Sequence, residues 1–132
     1  MPSRMILVAE DNSDDALIFE RMFKRASLPD GLYIVDDGQQ VIDWLSGTGN
    51  FSDRTKRPLP ERILLDLKMP VKNGFEALEW IRSQKSFEQL PVVILSSSDD
   101  PKDVKRAFEL GATKYFVKSP HLQDVIEYLR GN

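Results

Sequence analysis

Three carboxylates, a hydroxyl and an ammonium follow short apolar runs at separate points of the chain. In chain order these groups belong to Glu10 and Asp11, Asp66, Ser96 and Lys118. Crowded carboxylates resist joint ionisation unless a positive charge neutralises them. A hard divalent cation such as Mg²⁺ does so with oxygen ligands and leaves positions open for a phosphoryl oxygen. If they meet, these residue types predict a metal-dependent acidic site that handles phosphoryl groups.

Five short apolar runs must bring these groups together, at residues 5–9, 32–35, 62–65, 91–95 and 114–117. Each run is too short for a buried helix and is nearly continuously apolar, as a parallel strand covered on both faces must be. Helical patterns lie between the runs. One begins at Asn73-Gly74, another begins at Asp100-Pro101 and ends at Gly111, and the others cover about 14–26, 39–45 and 122–130. The alternation predicts a doubly wound α/β domain with strand order 2-1-3-4-5.

Ligands of open parallel sheets bind beyond the carboxyl ends of the strands. If the first and third strands are neighbours, Asp11 and Asp66 stand about one strand spacing apart, roughly 5 Å. Ser96 on the fourth strand and Lys118 on the fifth could then meet over Asp66. Each group alone has an ordinary explanation; Asp11, for example, could cap the first helix. The coincidence of four strand ends favours a site.

Composition narrows the class of protein. A chain of 132 residues is the size of one domain, which we take to span 1–132. Eighteen Lys and Arg against twenty-one Asp and Glu give a net charge of −3, which argues against nucleic-acid binding. The absence of cysteine and the single His121 exclude thiolate and multi-histidine metal sites. No apolar run is long enough to span a membrane and no signal peptide is evident, so a cytoplasmic location without membrane contact is expected.

The same residues resemble the receiver domain of two-component response regulators over essentially the whole chain. The similarity rests on their spacing and on the motifs around them: Glu10-Asp11, LLDLKMP with Asp66, NGFE at the third helix, Ser96 thirty positions after Asp66, and Lys118. The family has a flavodoxin-like fold. The resemblance implies a signalling protein and not an enzyme, apart from weak autophosphatase activity.

The resemblance also assigns roles to residues. Asp66 would accept a phosphoryl group from a sensor histidine kinase. Mg²⁺ or Mn²⁺ would be held by Glu10, Asp11, Asp66 and the main-chain carbonyl of Lys68. The remaining roles concern the phosphorylated state: Ser96 and Lys118 would hold the phosphoryl oxygens, Tyr115 would be the switch aromatic, and Lys68 and Ser98 would tune the phosphoryl lifetime.

Output is expected at the surface of the fourth helix, fifth strand and fifth helix. Because the chain ends at Asn132 directly after the fifth helix, signalling by protein contact is expected, including a phosphorylation-dependent homodimer through this surface. A phosphorelay intermediate or a phosphate sink is the alternative.

Two departures from the usual family pattern suggest a subgroup. Lys118-Ser119-Pro120 replaces the usual Lys-Pro, which leaves open whether Ser119–Pro120 is a cis peptide. The segment Gly47–Pro60 is long and is either a loop, the favoured interpretation, or a contact surface. Both features are similar to the small stand-alone regulators that serve bacterial phytochromes, which makes a bacteriophytochrome a candidate kinase.

Other classes fit less well. An aspartate-nucleophile phosphatase of the dehalogenase type needs a second acid two positions after the nucleophile, where this chain has Lys68. A flavin-binding module needs a phosphate-cradling loop after the first strand, where the acids Glu10 and Asp11 would repel a phosphate. No G-x-G-x-x-G motif follows a strand, which argues against a dinucleotide site.

Overall fold

The computed structural model describes residues 5–26, 31–118 and 122–131. Strands and helices alternate along them as the sequence predicts. Their bounds are β1 Met5–Ala9, α1 Ser13–Ala26, β2 Gly31–Val35, α2 Gly38–Ser46, β3 Arg62–Leu65, α3 Gly74–Ser83, β4 Val92–Ser96, α4 Pro101–Glu109, β5 Lys114–Val117 and α5 Leu122–Gly131, with short 3-10 turns at Gly49–Phe51 and Lys85–Phe87.

The five strands form one parallel sheet in the order β2-β1-β3-β4-β5, which confirms the predicted doubly wound α/β fold. The central strands β1, β3 and β4 are buried along their whole length, because helices cover both faces. Successive side chains alternate between the two faces. Leu7, Ile63 and Ile94 pack with residues of α2 and α3, whereas Ile6 and Leu64 pack with residues of α1 and α5.

Several element boundaries differ from the sequence prediction by one or two residues, among them those of β4 and α4. β4 begins at Val92 and includes Ser96, because Pro91 has no N–H for the ladder and because Ser96 still pairs with Val117 of β5. α4 ends at Glu109, two residues before the predicted cap. Gly111 nevertheless has a φ of 106°, a conformation that glycine adopts without steric cost.

The segment Gly47–Pro60 is irregular apart from its 3-10 turn, and side chains attach it to α2. The Arg54 guanidinium donates hydrogen bonds to the carbonyls of Trp44 and Leu45, at 2.7 and 2.9 Å. In return the Trp44 indole N–H donates to the carbonyl of Pro58 at 2.9 Å. The last carbonyls of α2 therefore obtain the partners that a helix terminus lacks.

Within the described residues, no helix is both long enough and apolar enough to cross a bilayer.

Candidate functional site

Backbone hydrogen bonds hold the carboxyl-end residues of the sheet in register. Beyond β1, the Glu10 N–H donates to the carbonyl of Val35 at 2.9 Å, and beyond β3 the Asp66 N–H donates to that of Ala9 at 3.2 Å. The two acidic side chains therefore project from backbone that continues the sheet. Glu10 is 3% exposed and Asp66 is 6% exposed, so both carboxylates are largely removed from water.

The ammonium of Lys118 lies among three carboxylates. Its Nζ atom is 2.6 Å from Glu10 Oε1, 3.0 Å from Asp66 Oδ2 and 3.0 Å from Asp15 Oδ2. An ammonium has three N–H donors, and this arrangement supplies one carboxylate for each. Lys118 therefore connects the ends of β1 and β3 to the first turn of α1 at the edge of the sheet.

Burial and mutual charge shift the proton affinities of these groups. Burial is the largest cause that raises the pKa of Glu10 to about 7, and the nearby Asp66 charge raises it further against the opposing hydrogen bond from Lys118. Burial alone would lower the pKa of Lys118, but its hydrogen bonds to Glu10, Asp66 and Asp15 outweigh burial and raise it. Lys118 is therefore a permanent cation here, whereas Glu10 changes charge near neutral pH.

Three carboxylates at this edge have the spacing of a metal site. Glu10, Asp11 and Asp66 each offer an oxygen, and these oxygens lie within 4.8 Å of one another. Asp11 is exposed while the other two are buried, so the cluster has one side open to solvent. A hard divalent cation that binds carboxylate oxygens and keeps part of its water shell suits this arrangement. The donor set therefore fits Mg²⁺ or Mn²⁺.

A cleft of about 590 Å³ opens beside the acidic cluster. Its lining includes Asp11, Lys68, Ser96 and Ser98, together with Arg106 of α4. The cleft gives a reacting group access to this edge of the sheet.

A glycine permits the close approach of α3 to Asp66. The Gly74 N–H donates to the carbonyl of Leu67 at 2.9 Å, and a Cβ atom at Gly74 would lie 2.3 Å from the main-chain oxygen of Asp66. Asn73 caps the helix in a reciprocal capping box with Glu76. The NGFE motif therefore begins α3 directly against the backbone that carries Asp66.

Ser98 connects the cleft to Tyr115 and to α4. Its N–H donates to Ser96 Oγ at 3.1 Å and its hydroxyl donates to Asp103 Oδ2 at 2.6 Å. The Tyr115 hydroxyl donates to the Ser98 carbonyl at 2.8 Å. Burial raises the pKa of Tyr115, so the phenol stays protonated as a donor. A movement of Ser96 or of the residues after it would reach both Tyr115 and α4.

The structure brings most of the predicted site residues together. Glu10, Asp11 and Asp66 form one cluster, and Lys118 binds two of them. The others lie beside the cluster: Lys68, Ser96 and Ser98 line the cleft, and Tyr115 contacts Ser98. The Ser119–Pro120 peptide lies outside the described residues.

The structure decides against helix capping by Asp11 and adds one residue to the site. The cap of α1 is Asn12 and not Asp11, because Asn12 Oδ1 accepts the N–H groups of Asp14 and Asp15 at 2.9 and 3.0 Å. This leaves the Asp11 carboxylate available to the metal cluster. Asp15, which binds Lys118 at 3.0 Å, is a site residue that the sequence analysis did not identify. Its place in the first turn of the helix that follows β1 was the available signal, because that turn lies at the carboxyl end of the sheet, where ligands of such folds bind.

Comparison with known proteins shows the family. The protein-family model described as the response regulator receiver domain matches residues 6–130, which is nearly the whole chain. This chain belongs to the response regulator receiver family. Receiver domains are signalling modules of two-component systems, as the sequence motifs predicted.

One similar protein is a response regulator of Synechocystis. The response regulator Rcp1 of Synechocystis is 32% identical over 130 residues, which cover 98% of this chain and 86% of Rcp1. Its Mn²⁺-bound form superposes with a TM-score of 0.83 at 31% identity, over 97% of this chain and 90% of that one.

Two further crystal structures are similar. A response regulator in red light signalling of R. palustris, RPA3017, has a TM-score of 0.86 at 36% identity, over 97% of this receiver and 90% of that chain. The phosphorylated cyanobacterial phytochrome response regulator RcpA has a TM-score of 0.85 at 28% identity, over 98% and 91% of the two chains.

Proposed function

We propose that this receiver accepts a phosphoryl group on Asp66 from a sensor histidine kinase, in a reaction that depends on Mg²⁺ or Mn²⁺. The observation that carries the proposal is the position of Asp66, whose carboxylate has the Lys118 ammonium at 3.0 Å and belongs to the acidic cluster with Glu10 and Asp11. The phosphorylated state of RcpA and the Mn²⁺-bound form of Rcp1 support it by similarity.

The transfer step requires positioning more than covalent catalysis. An Asp66 carboxylate oxygen forms the new O–P bond while the P–N bond to the donor histidine breaks, and the imidazole takes the electron pair. Lys118 and the Ser96 hydroxyl bind equatorial phosphoryl oxygens and offset their charge. Glu10, Asp11, Asp66 and the Lys68 carbonyl would hold a divalent cation, which would supply further charge neutralisation.

Incubation with a small acyl phosphate and Mg²⁺ tests the proposal. We expect the intact mass to increase by one phosphoryl group, hydroxylamine to remove it, and peptide mapping to locate it at Asp66. An unchanged mass, or a label on Ser96 or Ser98, would contradict the proposed acceptor.

The raised pKa of Glu10 predicts that Mg²⁺ binding depends on pH. The cation needs the carboxylate, so protons compete with it below the Glu10 pKa of about 7. We expect affinity to fall about tenfold per pH unit below about pH 6.5 and to level off above about pH 8. Calorimetric titration in buffers of different ionisation enthalpy would also measure release of a proton near neutral pH.

Glu10→Gln is the matched control for this titration, because the amide keeps the shape of the side chain but has no carboxylate to titrate. The variant should bind Mg²⁺ more weakly at every pH and lose the step near neutrality. A wild-type affinity that stays constant between about pH 6 and pH 8 would contradict the role of Glu10 as a titrating ligand.

The phosphorylated state would decay by hydrolysis at a rate that two flanking residues tune. Lys68 is exposed at the cleft, so its long cationic side chain could shield the acyl phosphate from water. Ser98 lies on the other side, bonded to Ser96 and Asp103. We propose weak autophosphatase activity, in which water hydrolyses the acyl phosphate of Asp66 at a rate that Lys68 and Ser98 limit. A phosphorelay intermediate or a phosphate sink would use the same chemistry without a dedicated output surface.

The conformational signal would pass through Tyr115. Ser96 moving toward the phosphoryl oxygens would alter its bond with Ser98, whose carbonyl holds the Tyr115 hydroxyl. Asp103 would carry the same change into α4. Phosphorylation would therefore bias a two-state surface formed by α4, β5 and α5.

We propose that this surface mediates protein contact, including a phosphorylation-dependent homodimer. Lys102, Lys105 and Glu109 are exposed on α4, and Phe108 is 46% exposed beside them. Opposite charges around an apolar residue suit a two-fold contact. Arg106 and Asp103 already have partners within the protein, because Arg106 lies over the Phe75 ring at 4.2 Å and Asp103 binds Ser98.

Charge reversal tests the contact. A phosphoryl mimic should promote association of the wild-type protein, and Lys105→Glu should weaken that association at least about fivefold through like-charge repulsion. Sedimentation with and without the mimic measures both effects. Lys24→Glu, which reverses an exposed charge on α1, is the control and should leave association unchanged. Equal behaviour of the two variants would contradict the proposed surface.

The phytochrome regulators among the similar proteins suggest the donor. We propose a bacteriophytochrome or a related sensor histidine kinase as the donor. Its partner would be a single receiver domain over 1–132 that acts in the cytoplasm.

A further inference from the structure

Asp15 places a fourth negative charge at the acidic cluster. It binds Lys118 at 3.0 Å from the first turn of α1, and Asp66 binds the same Nζ atom at 3.0 Å. The Asp15 and Asp66 oxygens therefore lie no more than 6.0 Å apart. Asp15 therefore adds a negative charge close to the Asp66 carboxylate.

Asp15 differs from the other acceptors of Lys118 in its exposure. The side chains of Glu10 and Asp66 are 2% and 7% exposed, whereas that of Asp15 is 38% exposed. A buried carboxylate that loses its cation is left without solvent, but a partly exposed one can be hydrated. Asp15 is therefore the acceptor that Lys118 can leave at the lowest cost.

We propose that Asp15 restrains phosphoryl uptake from small anionic donors by holding one N–H of Lys118 and by repelling the donor. This inference rests on the proposed function of Asp66. In the step concerned, an Asp66 oxygen bonds to phosphorus and the bond from phosphorus to the donor's leaving group breaks. Lys118 must then donate hydrogen bonds to the phosphoryl oxygens. Asp15 competes with those oxygens for the ammonium, and its charge repels the anionic donor at close range. Asp15 is a specificity-determining residue, not a catalytic one.

Two donors of different charge separate repulsion from a general structural effect. Acetyl phosphate is a dianion near neutral pH and releases acetate, whereas phosphoramidate carries a smaller net negative charge and releases ammonia. Electrostatic repulsion slows the dianion more. Removal of the Asp15 charge should therefore accelerate uptake from acetyl phosphate more than from phosphoramidate.

Asp15→Asn is the test variant, because the amide keeps the size of the side chain and removes its charge. Asp14→Asn is the matched control, since Asp14 lies in the same helical turn and has the same charge but is not a ligand of Lys118. At saturating Mg²⁺ we expect Asp15→Asn to raise the uptake rate from acetyl phosphate about three- to tenfold over the wild type. Asp14→Asn should change it less than about twofold.

A second measurement needs neither metal nor phosphoryl donor. The N–H protons of the Lys118 ammonium, observed by ¹⁵N NMR, should exchange with water faster in Asp15→Asn because one donor loses its carboxylate. Asp14→Asn should exchange as the wild type does. This measurement tests the contact independently of the rate.

Three results would overturn the inference: equal uptake rates for the two variants, slower uptake from both donors in Asp15→Asn, or ammonium exchange that Asp15→Asn leaves unchanged. The slower uptake would mean that Asp15 orients Lys118 productively. If the wild-type protein took up no phosphoryl group at all, the proposed function itself would fail. The two failures are therefore distinguishable.

Discussion

We expect Asp66→Asn to abolish phosphoryl uptake from every donor, because an amide oxygen cannot form the acyl phosphate. The substitution keeps the volume of the side chain at a site that is only 6% exposed, so the fold should persist. The Asp66 charge also helps to raise the pKa of Glu10, and its loss should bring that pKa down. Intact-mass analysis after incubation with acetyl phosphate and Mg²⁺ measures the effect.

Asp99→Asn is the control for this experiment, since Asp99 is an exposed aspartate in the β4–α4 connection. It should take up one phosphoryl group as the wild type does. Uptake by Asp66→Asn at the wild-type rate would mean that another residue is the acceptor. Circular dichroism of the variant separates loss of the acceptor from loss of the fold.

Gly74→Ala should destabilise the protein and displace Asp66. The added Cβ would lie 2.3 Å from the main-chain oxygen of Asp66 and 2.8 Å from the Cα of Leu67, and backbone atoms cannot rotate away as a side-chain tip can. We expect the free energy of unfolding to fall by about 2–3 kcal/mol and phosphoryl uptake to slow. Because alanine is favoured over glycine within a helix, any loss would come from the clash and not from helix propensity.

Gly49→Ala is the comparison variant, because it measures the cost of replacing a glycine that is needed for its backbone conformation and not to avoid a clash. Gly49 has a φ of 57°, and no atom lies within 4 Å of where its Cβ would be. Its substitution should cost about 1 kcal/mol, the price of a left-handed conformation, and leave phosphorylation unchanged. Denaturant unfolding compares the two variants. A loss at Gly74 no larger than that at Gly49 would contradict the steric argument.

The strand positions were predictable from local sequence because β1, β3 and β4 are covered on both faces. A strand of that kind must be apolar at nearly every position, so its sequence alone is diagnostic. The start of α4 was equally predictable, since Asp100 caps it and Pro101 occupies its first turn. The end of β4 was missed by one residue because Ser96 is polar, and its place in the ladder depends on its pairing with Val117.

The side-chain partners at the site were less predictable. Asp15 and Lys118 are 103 positions apart, and no local pattern indicates that they touch. The same is true of Tyr115 and Ser98, 17 positions apart. Their contacts depend on the crossovers that return each helix to the sheet.

The sequence by itself determined the βα order, the receiver family and the polar residue at each strand end, because these follow from local periodicity and from motif spacing. Only the tertiary structure decided that Lys118 binds three carboxylates and that Glu10 is buried enough to titrate near neutrality. It also decided that Asn12, and not Asp11, caps α1. The physical reason is that hydrogen bonding and desolvation depend on distances of a few ångströms between residues far apart in the chain, and only packing sets those distances.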